Sequence, residues 1–416
     1  MPLLANKKTC TGCMCCADTC KHQAIKIIED INGLWYPKVD KNKCLECHAC
    51  EIKCNLVCSG KLLNTNNTEN FIPYTAWNKN SSQRSISTSG GSFAAIASYI
   101  LEQKGIVCGA TIEKNRIKHI FISDSKDLPL IQGVKYIQSN TNGIYKQTKT
   151  YLNEGKLILF SGTPCQIAAL YSYLGKRSYN NLYTAEVICH GVISNIILDY
   201  HLKYNHANQI ISFRSKELGW GKDTFTTVMK DGKETILKNR RLNFFYDAFK
   251  SDTVNRPSCY SCKYANIKRI ADITMGDYWG NKQFPSEETK GLSLIIANNL
   301  KGNELIQQIE QLSLIKTTWK ECLPKNPRLY CDKHECEEIS ITQQLHKLFL
   351  YTPRFFAKNY IGPRATKRNI LAYIRNYYII KKKKKIDKRV KQELEQTIKL
   401  FESYEKNRNI DLSQIN

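Results

Sequence analysis

Cys10, Cys13, Cys16 and Cys20 stand in the spacing C-x2-C-x2-C-x3-C, and Cys44, Cys47, Cys50 and Cys54 repeat it without error. Three thiolates on one tight loop can grip three iron corners of a cubane, while the fourth, displaced onto the following turn, reaches a second cluster. The spacing therefore predicts two 4Fe-4S centres with exchanged fourth ligands: Cys10, Cys13, Cys16 and Cys54 for one, and Cys44, Cys47, Cys50 and Cys20 for the other. Zinc is the alternative, but it needs four ligands, usually from two separated pairs rather than four closely spaced thiolates twice over. Lys21 and Asn55 stand where a proline commonly follows the fourth cysteine, which loosens the turn without removing a ligand. Cys15 and Cys58 fall off the pattern and read as bystanders, and His22 and His48 as surface residues.

Four cysteines farther along invite the same arithmetic. Cys165 follows the apolar run Leu157 to Phe160 within Ser161-Gly162-Thr163-Pro164-Cys165-Gln166, where Thr163 can cap a helix and Pro164 suits its first turn. Cys189 follows Val187-Ile188, and Cys259 and Cys262 form a C-x-x-C pair. Cys165 and Cys189 then fall at the carboxyl ends of parallel strands, where open α/β sheets place their ligands. The four are available for a third 4Fe-4S cluster, although a scattered cysteine is commonly a small buried hydrophobe, the reading given to Cys108. Gly90-Gly91-Ser92, opening a helix, offers bare amides and a helix dipole to an anion, with a plain turn as the alternative.

The scaffold these residues require divides into three. Residues 1–60 carry ten of the eighteen cysteines and read as an α+β two-cluster ferredoxin module; 61–85 is polar and rich in Asn and Ser, a linker. From 86 to 300 short apolar runs alternate with helical patterns, the signature of an α/β domain with a mainly parallel sheet. Its clearest strands are Ile106 to Ala110, Leu157 to Phe160, Val187-Ile188 and Ser293 to Ala297, and helical spacing marks Phe93 to Leu101 and Gln166 to Leu174. Residues 301–416 read as a mostly helical, basic extension holding the run Lys381 to Lys385 and a mixed-charge helix near Val390 to Tyr404.

The chain of 416 residues suits two or three domains. Its net charge of +25 is concentrated: Tyr351 to Val390 holds thirteen Lys and Arg against the single acid Asp387. No uncharged apolar run is long enough to span a bilayer, and the N-terminal stretch lacks the pattern of an export signal. Dense cysteine in such a chain points to a reducing compartment and to metal ligation rather than disulfides.

Six motifs then occur in order: Thr88-Ser89-Gly90-Gly91-Ser92-Phe93, Gln132-Gly133-Val134-Lys135-Tyr136-Ile137-Gln138-Ser139, Ser161 to Gln166, Cys189-His190-Gly191, Arg256 to Cys262, and Asp272-Ile273-Thr274-Met275-Gly276-Asp277-Tyr278-Trp279-Gly280. Together they resemble the family of the beta subunit of coenzyme F420 hydrogenase and dehydrogenase, from about Cys10 to Leu300. The resemblance implies an iron-sulfur flavoprotein that binds FAD, with contacts from Ser89, Gly90, Gly91, Ser92, Lys135, Gln138, Ser139, Gly162 and Thr163, beside a cluster held by Cys165, Cys189, Cys259 and Cys262. It does not carry over the deazaflavin substrate. Asp277, just past an apolar stretch, reads equally as a site residue and as a solvated turn or cap.

The function expected is an oxidoreductase passing electrons between 4Fe-4S clusters and a two-electron small-molecule substrate through FAD. The first rival is a non-catalytic electron-transfer subunit serving a partner enzyme; a redox partner protein, a ferredoxin or enzyme subunit, is expected in either case. A second rival starts from the basic, aromatic tail, which includes Tyr351, Phe355 and Tyr377: it either packs on the core or docks on anionic lipid. No nucleic-acid-binding motif is present. Localisation is expected to be cytoplasmic, with peripheral contact at the inner face of the membrane if the tail docks.

Overall fold

A computed structural model describes residues 2–54, 56–57, 71–175, 177–221, 225–237, 244–250, 254–281 and 283–333. The expectations for the extension beyond 333, including the lysine run, the mixed-charge helix and lipid contact, and that for Cys58, lie outside these residues.

The first module is a hairpin of β1 (Ile25–Glu29) and β2 (Trp35–Val39), paired antiparallel, with two short helices, α1 (Cys15–Thr19) and α2 (Ala49–Ile52), packed against each other. Its two cysteine loops share one backbone signature. Gly12 and Met14 have φ of 67° and 64°, and the equivalent Glu46 and His48 have φ of 51° and 56°. Left-handed conformations at Met, Glu and His cost about 1–2 kcal/mol each and persist only where the surroundings over-determine them. Alternating left-handed residues coil each loop so that its cysteines share one concave side, which C-x2-C-x2-C spacing alone leaves unstated.

The second module is built on an eight-stranded sheet. Its strands are β3 (Ile72–Asn78), β4 (Ile106–Glu113), β5 (Arg116–Ile122), β6 (Ile158–Gly162), β7 (Leu182–Val187), β11 (Ile273–Asp277), β12 (Ser293–Ala297) and β13 (Leu312–Lys316), in the order β13-β3-β12-β11-β7-β6-β4-β5. The expected parallel sheet is its centre: β4, β6, β7 and β11 run parallel, and the pairings on both flanks are antiparallel. A separate sheet of β8 (Ala207–Ser212), β9 (Phe225–Met229) and β10 (Glu234–Leu237) is antiparallel throughout.

Both faces of the central strands are covered, and the sequence shows it as unbroken apolar runs. In β6, Leu159 packs in the cluster around α4 (Ser92–Glu102), while Ile158 and Phe160 pack with α7 (Pro164–Leu174) on the other face. Val107 and Cys108 of β4 divide in the same way, and Cys108 is fully buried, as read. The remaining helices are α3 (Ser81–Ile86), α5 (Leu128–Ile131), α6 (Ile144–Asn153), α8 (Asn195–Tyr204), α9 (Phe244–Lys250), α10 (Pro285–Glu288), α11 (Leu300–Gln307) and α12 (Trp319–Cys322).

Two boundaries need correction. Residues 71–85 are not linker: Ile72–Asn78 is an interior strand, hydrogen-bonded on both sides, and α3 follows it. The Asn- and Ser-rich flank conceals a run of aromatic and β-branched residues, Phe71-Ile72-Pro73-Tyr74-Thr75-Ala76-Trp77, of which Tyr74 and Ala76 are buried. The α/β domain also does not stop at 300, because α11, β13 and α12 complete its sheet and core.

Candidate functional site

The described residues bring the cysteines together in three places. One small cavity is lined by Cys10, Cys13, Cys16 and Cys54, with Cys15 in its wall, and another by Cys20, Cys44, Cys47 and Cys50, beside His22 and His48. These are the two exchanged sets read from the spacing. Among the described residues no three Cys, His, Asp or Glu side chains meet closely enough to hold a single metal ion. A cubane is bound at separate corners, one thiolate per iron, so its ligands surround a space instead of converging on a point. Cys15 is engaged otherwise: its thiol donates to Ala169 O at 3.5 Å.

The third place is a cavity of about 700 Å³ in the second module, whose wall includes Cys165, Cys189, Cys259 and Cys262. Thr163 and Gln166 form a capping box at the start of α7, so Cys165 enters the first helical turn after β6. Cys189 lies two residues past β7, and Cys259 ends a short 3-10 turn that starts at Pro257. The loop carrying Cys262 is pinned by Arg269, which donates to the Glu186 carboxylate and to Tyr264 O at 3.0 Å, with both charged side chains almost fully buried. Burial pushes the Cys165 thiol up to about 12 and Cys189 to about 11, with neighbouring thiols adding to the rise. Four partly buried thiols, three of which are raised by neighbouring thiols of the set, fit a site completed by cations.

The same cavity is lined by Ser89, Gly91, Ser92, Lys135, Gln138, Ser139, Gly162 and Thr163. Gly90 is not in its wall: a Cβ there would stand 2.6 Å from Ala76 O and 2.7 Å from Ser293 N, so this glycine lets the turn lie against the sheet. Gly91, with φ of 82°, leads into α4, and Ser92 Oγ and Gln132 Oε1 are buried polar atoms with no partner. The unpartnered Ser92 hydroxyl at the start of α4 and the unpartnered Gln132 Oε1 at the end of α5, in the wall of a cavity of this volume, could take polar groups of a bound cofactor. Lys135 donates to Gln132 O at 2.6 Å, and burial pulls its ammonium down to about 7.

Gln138 has a different task. Its amide donates to Gly12 O at 3.0 Å and accepts from Arg256 at 2.8 Å, and Arg256, wholly buried, also donates to Cys10 O at 2.7 Å and Trp35 O at 3.0 Å. Thr141 donates to Cys13 O at 2.8 Å, and Ser172 to Lys53 O at 2.7 Å. These bonds join the modules, so that Thr11 and Gly12 line both the Cys10 cavity and the large one. The Cys13 thiol, pushed up to about 12 by burial, is raised further by Cys10, Cys165 and Cys54, which places the first and third cysteine sets within electrostatic reach.

Several lining residues carry no sequence signal. His119 is buried, with Nε2 3.0 Å from Ser161 O and Nδ1 2.7 Å from Ser139 Oγ. A carbonyl can only accept, so Nε2 bears the proton, Nδ1 accepts from the Ser139 hydroxyl, and Ser139 keeps its lone pairs for the cavity. Burial holds His119 near 4, hence neutral. Asp277 is no solvated turn: it accepts from Arg214 at 2.7 and 3.2 Å and from Trp220 at 3.2 Å.

The ligand-sized cavity walled by four thiols lies beyond the carboxyl ends of the central parallel strands, where open α/β sheets place their ligands. Residues 155–321 match the family described as the C terminus of the beta subunit of coenzyme F420 hydrogenase/dehydrogenase, and over this segment the chain is similar to that family. The match takes in the last four of the six ordered motifs and leaves the first two, and the first module, outside it. Among solved structures, a chain of the xenon-derivatised F420-reducing [NiFe] hydrogenase complex from Methanosarcina barkeri aligns over 69% of this chain and 94% of its own, at 18% identity and a TM-score of 0.44. No curated protein matches the chain.

Proposed function

We propose that this protein is an iron-sulfur flavoprotein oxidoreductase that moves electrons through two 4Fe-4S clusters of its first module and a third beside FAD. The observation that supports it most is the succession of cavities: a Cys20, Cys44, Cys47, Cys50 set, a Cys10, Cys13, Cys16, Cys54 set, and the large cavity, which shares Thr11 and Gly12 with the second set. Each cluster would be held at its corners by the four thiolates of its set. FAD, when bound, supplies the exchange between single electrons and an electron pair.

The chain's own part is positioning. Amides at Gly91 and Ser92 and the charge of Lys135 would hold phosphate groups, His119 would keep Ser139 an acceptor toward the ligand, and the buried walls would exclude water and oxygen. Arg269 and Glu186 would hold the Cys262 loop to its cluster. The beta-subunit family favours a second reading, an electron-transfer subunit without its own substrate; the size of the cavity argues for the catalytic one. A redox partner protein and a small-molecule donor or acceptor belong to the proposal, as does a cytoplasmic setting; among the described residues no helix is long and apolar enough to cross a membrane.

Anaerobic purification with iron, sulfide and flavin analysis tests the reading. Three cubanes require about twelve iron per chain; zinc in place of iron would end it, and about eight would remove the third cluster. Cys165→Ser is expected to stop electron flow from the first module to the flavin while a two-electron donor still reduces it. A screen of reduced nicotinamides, ferredoxin and deazaflavin identifies the partner, and turnover of none by the isolated chain would favour the subunit reading.

A further inference from the structure

Three of the buried hydroxyls that have no partner among the described residues flank cysteines of the cluster sets. They are Thr11 Oγ1, Ser258 Oγ and the phenol oxygen of Tyr264. Thr11 follows Cys10, Ser258 precedes Cys259, and Tyr264 stands two residues after Cys262.

The cavities and the core repeat that grouping. Thr11 lines the cavity of the Cys10, Cys13, Cys16, Cys54 set and also the large cavity, and Ser258 lines the large cavity with Cys165, Cys189, Cys259 and Cys262. Tyr264, only 4% exposed, packs in an apolar cluster bordered by Cys13 of the one set and by Cys165 and Cys262 of the other. Its carbonyl is held by Arg269 at 3.0 Å, which fixes the residue beside the Cys262 loop. A hydroxyl already meets sulfur in this region, since Thr163 Oγ1 stands 3.1 Å from Cys165 Sγ. The Cys20, Cys44, Cys47, Cys50 set differs. Among the described residues that line its cavity none has a buried side-chain polar atom without a partner, and Cys47 is exposed.

A buried hydroxyl left unpaired is costly, and the cysteine sets bring the missing acceptors with their clusters. Resting on the iron-sulfur reading, we infer that these three hydroxyls donate hydrogen bonds to cluster sulfur and raise the reduction potentials of the two inner clusters. Thr11 serves the cluster of the Cys10 set, and Ser258 and Tyr264 serve the cluster beside the large cavity. Reduction adds negative charge to a cluster, and burial disfavours charge. Hydrogen bonds to sulfur offset that, because they favour the more negative, reduced state. The outer cluster is open to water at Cys47, so the hydroxyls keep the two buried clusters reducible by an electron that arrives at the outer one.

The test is a potentiometric titration of the anaerobically purified holoprotein, followed by electron paramagnetic resonance, in wild type and in Thr11→Val, Ser258→Ala and Tyr264→Phe. Iron and flavin per chain are expected to stay unchanged. Thr11→Val should lower one cluster midpoint, and Ser258→Ala and Tyr264→Phe should both lower another. Each shift corresponds to about a tenfold fall in the reduced-to-oxidised ratio at fixed potential, about 59 mV for one electron. The midpoint of the outer cluster should stay in place. Cluster midpoints equal to those of wild type in all three variants, with the clusters intact, would overturn the inference and leave the iron-sulfur reading standing. A shift of the flavin midpoint alone would also overturn it, by assigning the hydroxyls to the flavin. Should one variant fail to fold, the other two still decide. A wild-type protein without iron would overturn both readings.

Discussion

Arg269 and Glu186 show what single residues do here. Both are almost completely buried and paired beside Cys262, and removing one member of such a pair strands the other charge. Glu186→Ala is expected to destabilise the protein by about 3–5 kcal/mol, read from denaturant unfolding; a loss under about 1 kcal/mol would mean that Arg269 finds another acceptor. His119 makes a second prediction. Its folded pKa near 4 lies below the ordinary 6.5, so between those values the unfolded chain binds more protons than the folded one. Stability therefore falls as pH drops from about 6.5 towards 4 and is indifferent to this group above that window. His119→Gln should flatten that slope, and unfolding curves at pH 5 and 7 that shift equally in variant and wild type would refute it. The two sets of four cysteines in the first module could be grouped from the sequence because ligand chemistry fixes spacing, whereas Cys165, Cys189, Cys259 and Cys262 are too scattered for spacing and were grouped through the family resemblance. Nothing comparable announced His119 or Arg269: a lone histidine or arginine acquires its role from a carbonyl or carboxylate far along the chain.

At the scale of elements, the turn into α4 depends on Gly90, whose Cα faces the backbone of β3 and β12. Gly90→Ala would push against two main chains that cannot yield cheaply, at a cost of about 1–3 kcal/mol. Gly155 has φ of 76° and open space around it, so Gly155→Ala meets only the left-handed penalty of about 1–2 kcal/mol. Thermal unfolding that ranked Gly155→Ala as the more harmful would contradict the packing role of Gly90. Strands with both faces buried, such as Ser293–Ala297, were readable as apolar runs, and α7 from its cap at Thr163 and Pro164. The strand Ile72–Asn78 escaped because polar residues precede it and Pro73 interrupts it; its place in the sheet is set by partners that come more than two hundred residues later. Flanking strands that pair antiparallel are likewise set by tertiary contacts that no local pattern contains.

For the molecule as a whole, the joint between modules is polar and centred on Arg256, which reaches Cys10 O, Gln138 and Trp35 O and lies 4.2 Å from the Tyr36 ring centroid. Arg256→Met keeps the bulk but loses those bonds. Calorimetry is expected to show one unfolding transition for the wild type and two for the variant; the same transition in both would show that these bonds do not couple the modules. The position of β3 has a consequence for how the protein is made. This strand leaves the ribosome early, yet both of its neighbours in the sheet, β12 and β13, are among the last described strands to be synthesised. Until they arrive, a strand with aromatic and β-branched side chains keeps two open hydrogen-bonding edges, the condition under which nascent chains recruit one another. The sheet closes late and through distant pairings, which makes folding slow. Fragments ending before residue 312 should accumulate as aggregates during expression, however sound their cysteine loops.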